Sequence, residues 1–144
     1  MASKMYGNFL AKALNKEVDW DSDTIKVALV GSGYTPNQDS HDYWDDVSSN
    51  EVTGTGYTAG GATLASKTIT YDGASNVVIL DAADVVWSSS TITARYAVVY
   101  DDSGATAGQK VLIGYVDFGS DQSSTSGNFT VTWDATGIAR ITIA

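Results

Sequence analysis

Three carboxylates occupy alternate positions in this sequence, at Asp19, Asp21 and Asp23. Alternate carboxylates begin a calcium loop of the EF-hand type, because their oxygens converge on one hard cation. The rest of that loop is missing: Thr24 stands where the sharp turn needs glycine, and Val30 stands where a bidentate glutamate is required. We therefore predict a solvated turn that leads into a strand, and no metal site.

The only histidine, His41, lies in an acidic segment close to Asp45 and Asp46. Adjacent positions on a helical turn point in different directions, so the two aspartates are not expected to converge on one ion. We expect Trp44 and Val47 to pack inward while the charged side chains face water.

Groups suited to catalysis are few. Nucleophilic catalysis needs a serine or cysteine held by a base, and the chain has one histidine and no cysteine. Paired carboxylates such as Asp117 and Asp121 can cleave glycosidic bonds, but acidic residues beside turns are commonly solvated. The glycines of residues 50–64 do not form a nucleotide loop, because Ala59 occupies a required glycine position and a strand follows. We predict no enzymatic activity and no cofactor.

The charge of the chain excludes one class of partner. Seventeen acidic and eight basic residues give a formal net charge of −9. Phosphate backbones bind clustered lysine and arginine, and no such cluster occurs, so nucleic acid is not an expected partner. Residues 1–20 lack the apolar run of a membrane span or a signal peptide, so no membrane partner is expected.

The strongest structural pattern runs from Thr91 to Phe118. In its first half, apolar residues recur at every second position, and its second half is apolar on both faces. The alternation predicts a shared face for Ile92, Ala94, Tyr96, Val98 and Tyr100. Turn-forming glycine, serine and aspartate separate the halves. The pattern predicts a long hairpin in the middle of a sheet, covered on each side.

Further strands are predicted at residues 24–30, 64–71, 76–80, 84–87, 128–133 and 138–143. With the hairpin they make about eight short strands separated by turns, which is typical of a sandwich or barrel. We predict an all-β fold: a jelly-roll-like antiparallel β-sandwich of about eight strands with a short N-terminal helix.

Residues 1–20 differ from the rest and are interpreted as an N-terminal arm with a short helix, and residues 21–144 as a single β-sandwich domain. Asn8 can cap this helix, with Lys12 on its outer side and Phe9 and Leu10 on its apolar stripe. The helix either covers an edge of the sheet or reaches a neighbouring subunit.

Five segments between Thr24 and Ile138 carry a resemblance to known proteins: TIKVALV, YTP, HDYWDDVSSNEVTGTGYTAGGATL, STITARYAVVYDD and VDFGSDQSSTSGNFTVTWDATGI. They resemble a family of tailed-bacteriophage structural proteins, and residues 50–61 and 91–100 are the most specific blocks. Members of that family are described as capsid cement or decoration proteins, head proteins or tail-associated proteins. The resemblance implies a virion component and brings no catalytic or ligand-binding residues with it.

These observations predict a non-enzymatic virion protein: a capsid decoration or cement protein that bridges neighbouring major capsid subunits and stabilises the phage head. Its expected partners are the major capsid protein and copies of itself in a symmetric homo-oligomer. The expected location is the particle surface, on the head rather than the tail.

Two alternatives stay open, a tail- or baseplate-associated component and a carbohydrate-binding virion module, for which Trp20 and Trp44 are the loop aromatics. The candidate residues for protein contacts are Tyr6, Phe9 and Leu10 in the arm and Tyr43, Trp44 and Tyr57 in the long loops.

Overall fold

Eight β-strands and one α-helix form in the computed structural model, which describes residues 2–144. The strands are β1 (Ala2–Met5), β2 (Ile25–Val30), β3 (Ala62–Thr63), β4 (Thr68–Asp72), β5 (Val77–Asp81), β6 (Val85–Asp101), β7 (Leu112–Val131) and β8 (Ala139–Thr142). The helix α1 spans Phe9–Leu14, and single 3-10 turns occur at Trp44–Asp46, Ser48–Asn50 and Ala107–Gln109.

The strands form two antiparallel sheets. The larger sheet has the order β1–β7–β6–β2–β3, and the smaller sheet has the order β4–β5–β8. The predicted all-β, sandwich-like fold with about eight strands and one short helix is confirmed, with the strands divided five to three between the sheets.

The hairpin of β6 and β7 occupies the middle of the larger sheet, as the sequence pattern predicts. It is longer than predicted, since pairing extends from Tyr100 opposite Leu112 to Val85 opposite Val131. The separate strands predicted at 84–87 and 128–133 are therefore the far ends of this hairpin. Pairing passes through the intervening serine-rich residues because register shifts absorb the extra residues, with positive φ values of 50° at Ser89 and 46° at Ser126.

The predicted common face of β6 is wrong. Ile92 and Ala94 belong to the core between the sheets, whereas Tyr96, Val98 and Tyr100 belong to a second core on the opposite face. The change of face coincides with a register shift between Ala94 and Tyr96, where β6 advances two residues and β7 advances five, from Gln122 to Asp117. A shift by an odd number of residues interrupts the alternation of side chains between the two faces.

The larger sheet is covered on both faces, as expected for a strand pair that is apolar on both sides. One face packs with the smaller sheet and α1 around Phe9, Trp87 and Phe129. The irregular connection after β2 covers the other face. In that connection Trp44 and Val47 are 7% and 0% exposed, and Trp44 stacks on Tyr100 with ring centroids 4.3 Å apart. The predicted inward packing of Trp44 and Val47 is confirmed.

The glycine-rich connection between β2 and β3 is held by Tyr57, as the sequence suggests. The Tyr57 hydroxyl accepts a hydrogen bond from the Leu29 amide at 3.0 Å and donates one to Glu51 Oε1 at 2.7 Å. Gly61 has a φ of +78°, and a Cβ there would overlap the Val27 carbonyl oxygen, so glycine is required where the chain joins β3.

The first residues are part of the sheet rather than an extension from it. β1 pairs with β7 along its whole length, and no strand was predicted there because its sequence, ASKM, has no apolar alternation. Asn8 precedes α1 but makes no capping hydrogen bond through its side chain. Lys12 does not lie on the outside: its ammonium is 3.3 Å from Asp42 Oδ2 and 3.8 Å from the centroid of the Tyr43 ring.

A short chain of hydrogen bonds secures the second core. The Tyr6 and Tyr34 hydroxyls are 2.9 Å apart, and the Tyr34 hydroxyl lies 2.8 Å from His41 Nδ1. Tyr6 is 1% exposed, so its hydroxyl has no access to bulk water. Burial raises the pKa of Tyr34 to about 12 and also raises that of Tyr6, so both phenols stay protonated at neutral pH.

We predict that Tyr34→Phe lowers the free energy of unfolding by about 1–3 kcal/mol, because it leaves a buried hydroxyl on Tyr6 without its partner. Urea denaturation followed by tryptophan fluorescence measures the change. Tyr71→Phe is the matched control: Tyr71 is 59% exposed, so the same substitution should change stability by less than about 0.5 kcal/mol. Equal stabilities for Tyr34→Phe and the parent would contradict the structural role of this chain of hydrogen bonds.

Candidate interaction surface

One face of the smaller sheet is apolar from edge to edge. Ile69 lies opposite Leu80, Tyr71 lies opposite Val78, and Val78 lies opposite Ile141. Side chains of directly opposed residues in a sheet lie on the same face, so these five form one apolar face. Leu80 is 2% exposed in the main core, whereas Ile69 and Tyr71 are 53% and 59% exposed. The main core therefore covers only part of this face.

The helix α1 lies beside the apolar face and is too short to cover it. Its six residues measure about 9 Å at 1.5 Å per residue, whereas a strand of five residues is roughly 17 Å long. A groove of about 420 Å³ separates the helix from the sheet, and every residue that lines it is apolar. Leu10 and Leu14 stand on the helix side of this groove at 39% and 77% exposure, and Ile143 on the sheet side at 49%.

We call the exposed members of this region, Leu10, Leu14, Ile69, Tyr71 and Ile143, the apolar surface. Single exposed apolar residues are ordinary on a protein, but several that share one groove and one sheet face commonly mark a site of protein interaction. The apolar surface is therefore the candidate functional site.

A second groove begins where the first one ends. A cavity of about 470 Å³ lies between β1 and β8, and Leu10 lines both it and the apolar groove. A third cavity of about 220 Å³ beside Trp133 shares Ser3 and Gly137 with the second. The three cavities are therefore neighbours along the side of the molecule, and we call the middle one, between β1 and β8, the cleft.

The six residues that the sequence predicts as protein contacts differ in how far their side chains are buried. Tyr6, Phe9 and Trp44 are 1%, 3% and 7% exposed, so their side chains pack within this chain. Tyr43 and Tyr57 are half-buried and hydrogen-bond to acidic side chains of the same chain. Leu10, the sixth, belongs to the apolar surface.

Sequence reasoning missed most of the apolar surface. Ile69, Tyr71 and Ile143 lie in segments that were interpreted as ordinary strands. The available signal was the apolar spacing of two at residues 69 and 71 and at 141 and 143 in strands with no assigned cover. Pairing through β5 brings these separate segments onto one face, and that pairing cannot be read from one strand at a time.

The tryptophans do not form an exposed aromatic platform. Trp20 is 5% exposed, and Trp44, Trp87 and Trp133 are each 7% exposed. The indole of Trp20 donates a hydrogen bond to the Thr68 carbonyl at 2.9 Å. A saccharide stacks on an open ring face, and neither Trp20 nor Trp44, the loop candidates for that role, has one.

The three aspartates before β2 form a turn, as predicted. Asp19 Oδ1 accepts hydrogen bonds from the amides of Asp21 and Ser22, each at 3.1 Å, and Asp23 Oδ2 accepts one from the Asp19 amide at 2.7 Å. Hydrogen bonds from Ser22 hold the pKa of Asp19 below its ordinary value. Among residues 2–144, no group of three or more histidine, aspartate or glutamate side chains is placed to hold a metal ion.

Asp117 and Asp121, the paired carboxylates named in the sequence analysis, lie in different environments. Asp117 Oδ1 accepts a hydrogen bond from Arg95 Nε at 2.8 Å and another from the Gly119 amide at 2.7 Å. Its hydrogen bond with Arg95 is the main reason that the pKa of Asp117 is lowered. Asp121 is exposed. Asp117 is thus a carboxylate that fixes the irregular pairing of β6 with β7.

Two adjacent aspartates at the end of β6 lie in opposite environments. Asp101 is 2% exposed; its Oδ1 accepts a hydrogen bond from the Ser103 amide at 2.8 Å, and its Oδ2 has no hydrogen-bond partner in the described chain. Burial, with a smaller contribution from Asp23, raises the pKa of Asp101 to about 6.

Asp102 lies between two ammonium groups, with Lys26 Nζ at 2.7 Å and Lys110 Nζ at 2.6 Å. Partial burial raises the pKa of Asp102, but the hydrogen bonds from Lys110 and Lys26 outweigh burial and leave the pKa lowered.

No protein-family model matches this chain, and neither a curated protein nor a solved structure matches it. Within the described residues, no helix has the length and apolar character needed to cross a membrane. Function is therefore inferred from the surfaces of the molecule itself.

We predict that Asp101→Asn raises the free energy of unfolding at pH 7.5, by on the order of 1–3 kcal/mol, because it removes a charge that folding must bury. The asparagine oxygen can still accept from the Ser103 amide. A folded-state pKa raised to about 6 weakens the fold as pH rises from near 4, the unfolded-state pKa, to 6. The difference from the parent should therefore vanish below pH 4.

Asp102→Asn is the matched control with the opposite sign. Its lowered pKa means that the carboxylate stabilises the fold at neutral pH and loses this effect as pH falls through the folded-state pKa. Urea denaturation at a series of pH values measures both variants. A lower free energy of unfolding for Asp101→Asn at pH 7.5 would contradict the prediction, because it would mean that the folded protein stabilises the charged carboxylate of Asp101.

Proposed function

We propose that this protein is a non-enzymatic structural component of a tailed-phage virion, a decoration or cement protein that bridges neighbouring major capsid subunits on the head. The observation that carries the proposal is the apolar surface, which is open in the single chain. The resemblance of five sequence segments to tailed-phage structural proteins supports a virion role and supplies the class of partner.

The proposed mechanism is adhesion through buried apolar area. Complete burial of a leucine or isoleucine side chain is worth about 1.5–3 kcal/mol, and a residue that is already half covered contributes proportionally less. Leu14, Ile69 and Ile143 are between 49% and 77% exposed, so a subunit seated on them gains from each. A protein that binds only the assembled shell stabilises that shell by mass action.

The rest of the molecule suits an adhesive role. The larger sheet has both faces covered, so its shape is fixed by packing. Copies of the chain arranged around a symmetry axis of the shell would repeat the same contact on each subunit. A tail or baseplate location would use the same surface, and labelled-particle micrographs distinguish it from the head. Carbohydrate binding receives no support from the buried tryptophans.

We predict that the double variant Leu14→Glu, Ile69→Glu binds phage heads assembled without this protein at least about tenfold more weakly than the parent. The reason is that docking would bury two carboxylates without partners, which costs more than 1.4 kcal/mol. Co-sedimentation of purified protein with heads measures the affinity.

Val86→Glu is a control for adding one carboxylate at a half-exposed apolar position, because Val86 is 50% exposed but lies on β6 and does not line the groove. It should bind heads like the parent. Circular dichroism and urea denaturation check that all variants fold. Unchanged binding by the double variant would exclude the apolar surface as the contact. Saturable glycan binding without binding to particles would replace the proposal with the carbohydrate-binding alternative.

A further inference from the structure

We propose that the cleft between β1 and β8 binds an extended acidic peptide segment of another protein, which adds a strand to the free edge of β1. This inference concerns the cleft, which adjoins the apolar surface at Leu10 and differs from it in charge and in its free strand edge. It holds whether or not the protein belongs to a virion.

Both walls of the cleft are edge strands. β1 is the outermost strand of the larger sheet and pairs only with β7, and β8 is the outermost strand of the smaller sheet and pairs only with β5. An edge strand presents unpaired N–H and C=O groups on its outer side, which form a template for a further strand. The cavity of about 470 Å³ is lined by Ser3–Gly7 on one side and Thr136–Arg140 on the other.

The hydrogen bonds to the inner neighbours show which groups are free. The Tyr6 amide donates to the Ile113 carbonyl at 3.1 Å, and backbone groups alternate in direction along an antiparallel strand. Lys4 therefore points its amide and carbonyl toward β7, while those of Ser3 and Met5 point away from β7. On β8 the Ile143 amide donates to the Asn76 carbonyl, so the backbone groups of Arg140 point away from β5.

The chain itself already pairs with one end of this edge. Gln38 donates from its side-chain amide to the Met5 carbonyl at 2.6 Å and accepts at its main-chain carbonyl from the Gly7 amide at 2.8 Å. The β1 edge thus takes a partner at Met5 and Gly7. The Ser3 amide and carbonyl and the Met5 amide continue the same edge into the cleft.

The charge of the cleft selects the occupant. Lys4 and Arg140 line the cavity between β1 and β8 and no carboxylate does, although the chain as a whole has a net charge of −9. The adjoining cavity beside Trp133 has one carboxylate, that of Asp134. In the described part of the chain, neither cation lies within 4.0 Å of a carboxylate oxygen, whereas Lys12, Lys26, Arg95 and Lys110 all do. Two exposed cations beside free backbone groups favour a segment with carboxylates at its centre.

The shape of the cleft favours an extended segment. It continues at one end into the cavity beside Trp133 and at the other end, through Leu10, into the apolar groove. An α-helix with side chains is about 10–12 Å across, whereas an added strand lies only about 4.8 Å from its neighbour. The expected ligand is therefore an extended chain with acidic residues in the middle and apolar residues at both ends.

Peptide titration tests the proposal with the full-length protein. The probe is a fluorescein-labelled peptide of about nine residues, with aspartate and glutamate alternating with valine at the centre and leucine at both ends. Fluorescence anisotropy at low ionic strength should show saturable binding, at least tenfold weaker when lysine replaces the acidic residues. No saturable binding of the acidic peptide would overturn the proposal.

Variants of the protein test separately how much the charges of the cleft and the edge of β1 contribute to peptide binding. Lys4→Glu with Arg140→Glu should weaken binding of the acidic peptide at least tenfold and bring it near that of the lysine peptide. Lys16→Glu with Lys67→Glu, an equal charge change at two positions that do not line the cleft, should leave the affinity unchanged. An equal loss of affinity in the test variant and the control would mean that overall charge causes the effect, and it would overturn the proposed site.

Ser3→Pro removes the Ser3 amide that faces the cleft, and it leaves the charge and the hydrogen bonds to β7 in place. It should weaken binding several-fold with unchanged unfolding behaviour. Hydrogen exchange should show peptide-dependent protection of the Ser3 and Met5 amides in the parent protein. Binding without that protection, or full affinity in Ser3→Pro, would overturn the added strand.

Discussion

The pairing of β6 with β7 is the interaction on which the rest of the fold depends. The half of this hairpin next to its turn is apolar on both faces, so each face must be covered for the pair to be stable in water. The smaller sheet and α1 cover one face, and the connection after β2 covers the other. This explains why a segment without strands is well packed: Tyr34, Trp44 and Val47 are buried against the sheet. The strands β1, β2 and β3 extend the larger sheet from this pair.

The sequence predicted the parts of the structure that depend on local pattern. The central hairpin, the inward packing of Trp44 and the anchoring role of Tyr57 could all be derived from residue types and spacing. β1 could not be predicted, because its residues have no strand pattern and their pairing is imposed by β7. The change of face at Arg95 could not be predicted, because a register shift between two strands leaves no mark in the composition of either one. The apolar surface was missed because it arises from the pairing of distant strands.

The two sheets differ in how completely they are covered, and the candidate sites follow from this difference. Both faces of the larger sheet are packed, so it offers mainly its edges. The smaller sheet keeps an apolar face that α1 is too short to close. The edges of the two sheets also approach each other at β1 and β8 without pairing. The partly covered apolar face therefore adjoins the unpaired edges of β1 and β8. Leu10 lines the cavities on both sides of this junction.

The partly covered apolar face and the unpaired strand edges lie on one side of the molecule, so its two sides differ. These places run from the Trp133 cavity past Leu10 to Ile143, whereas the connection packed over Tyr100 covers one face of the larger sheet. In the proposed function, only the side that carries these incomplete places attaches. If the proposal holds, every copy on a regular lattice would turn its attaching side inward and its covered side outward, and a coat of this protein would be one layer thick.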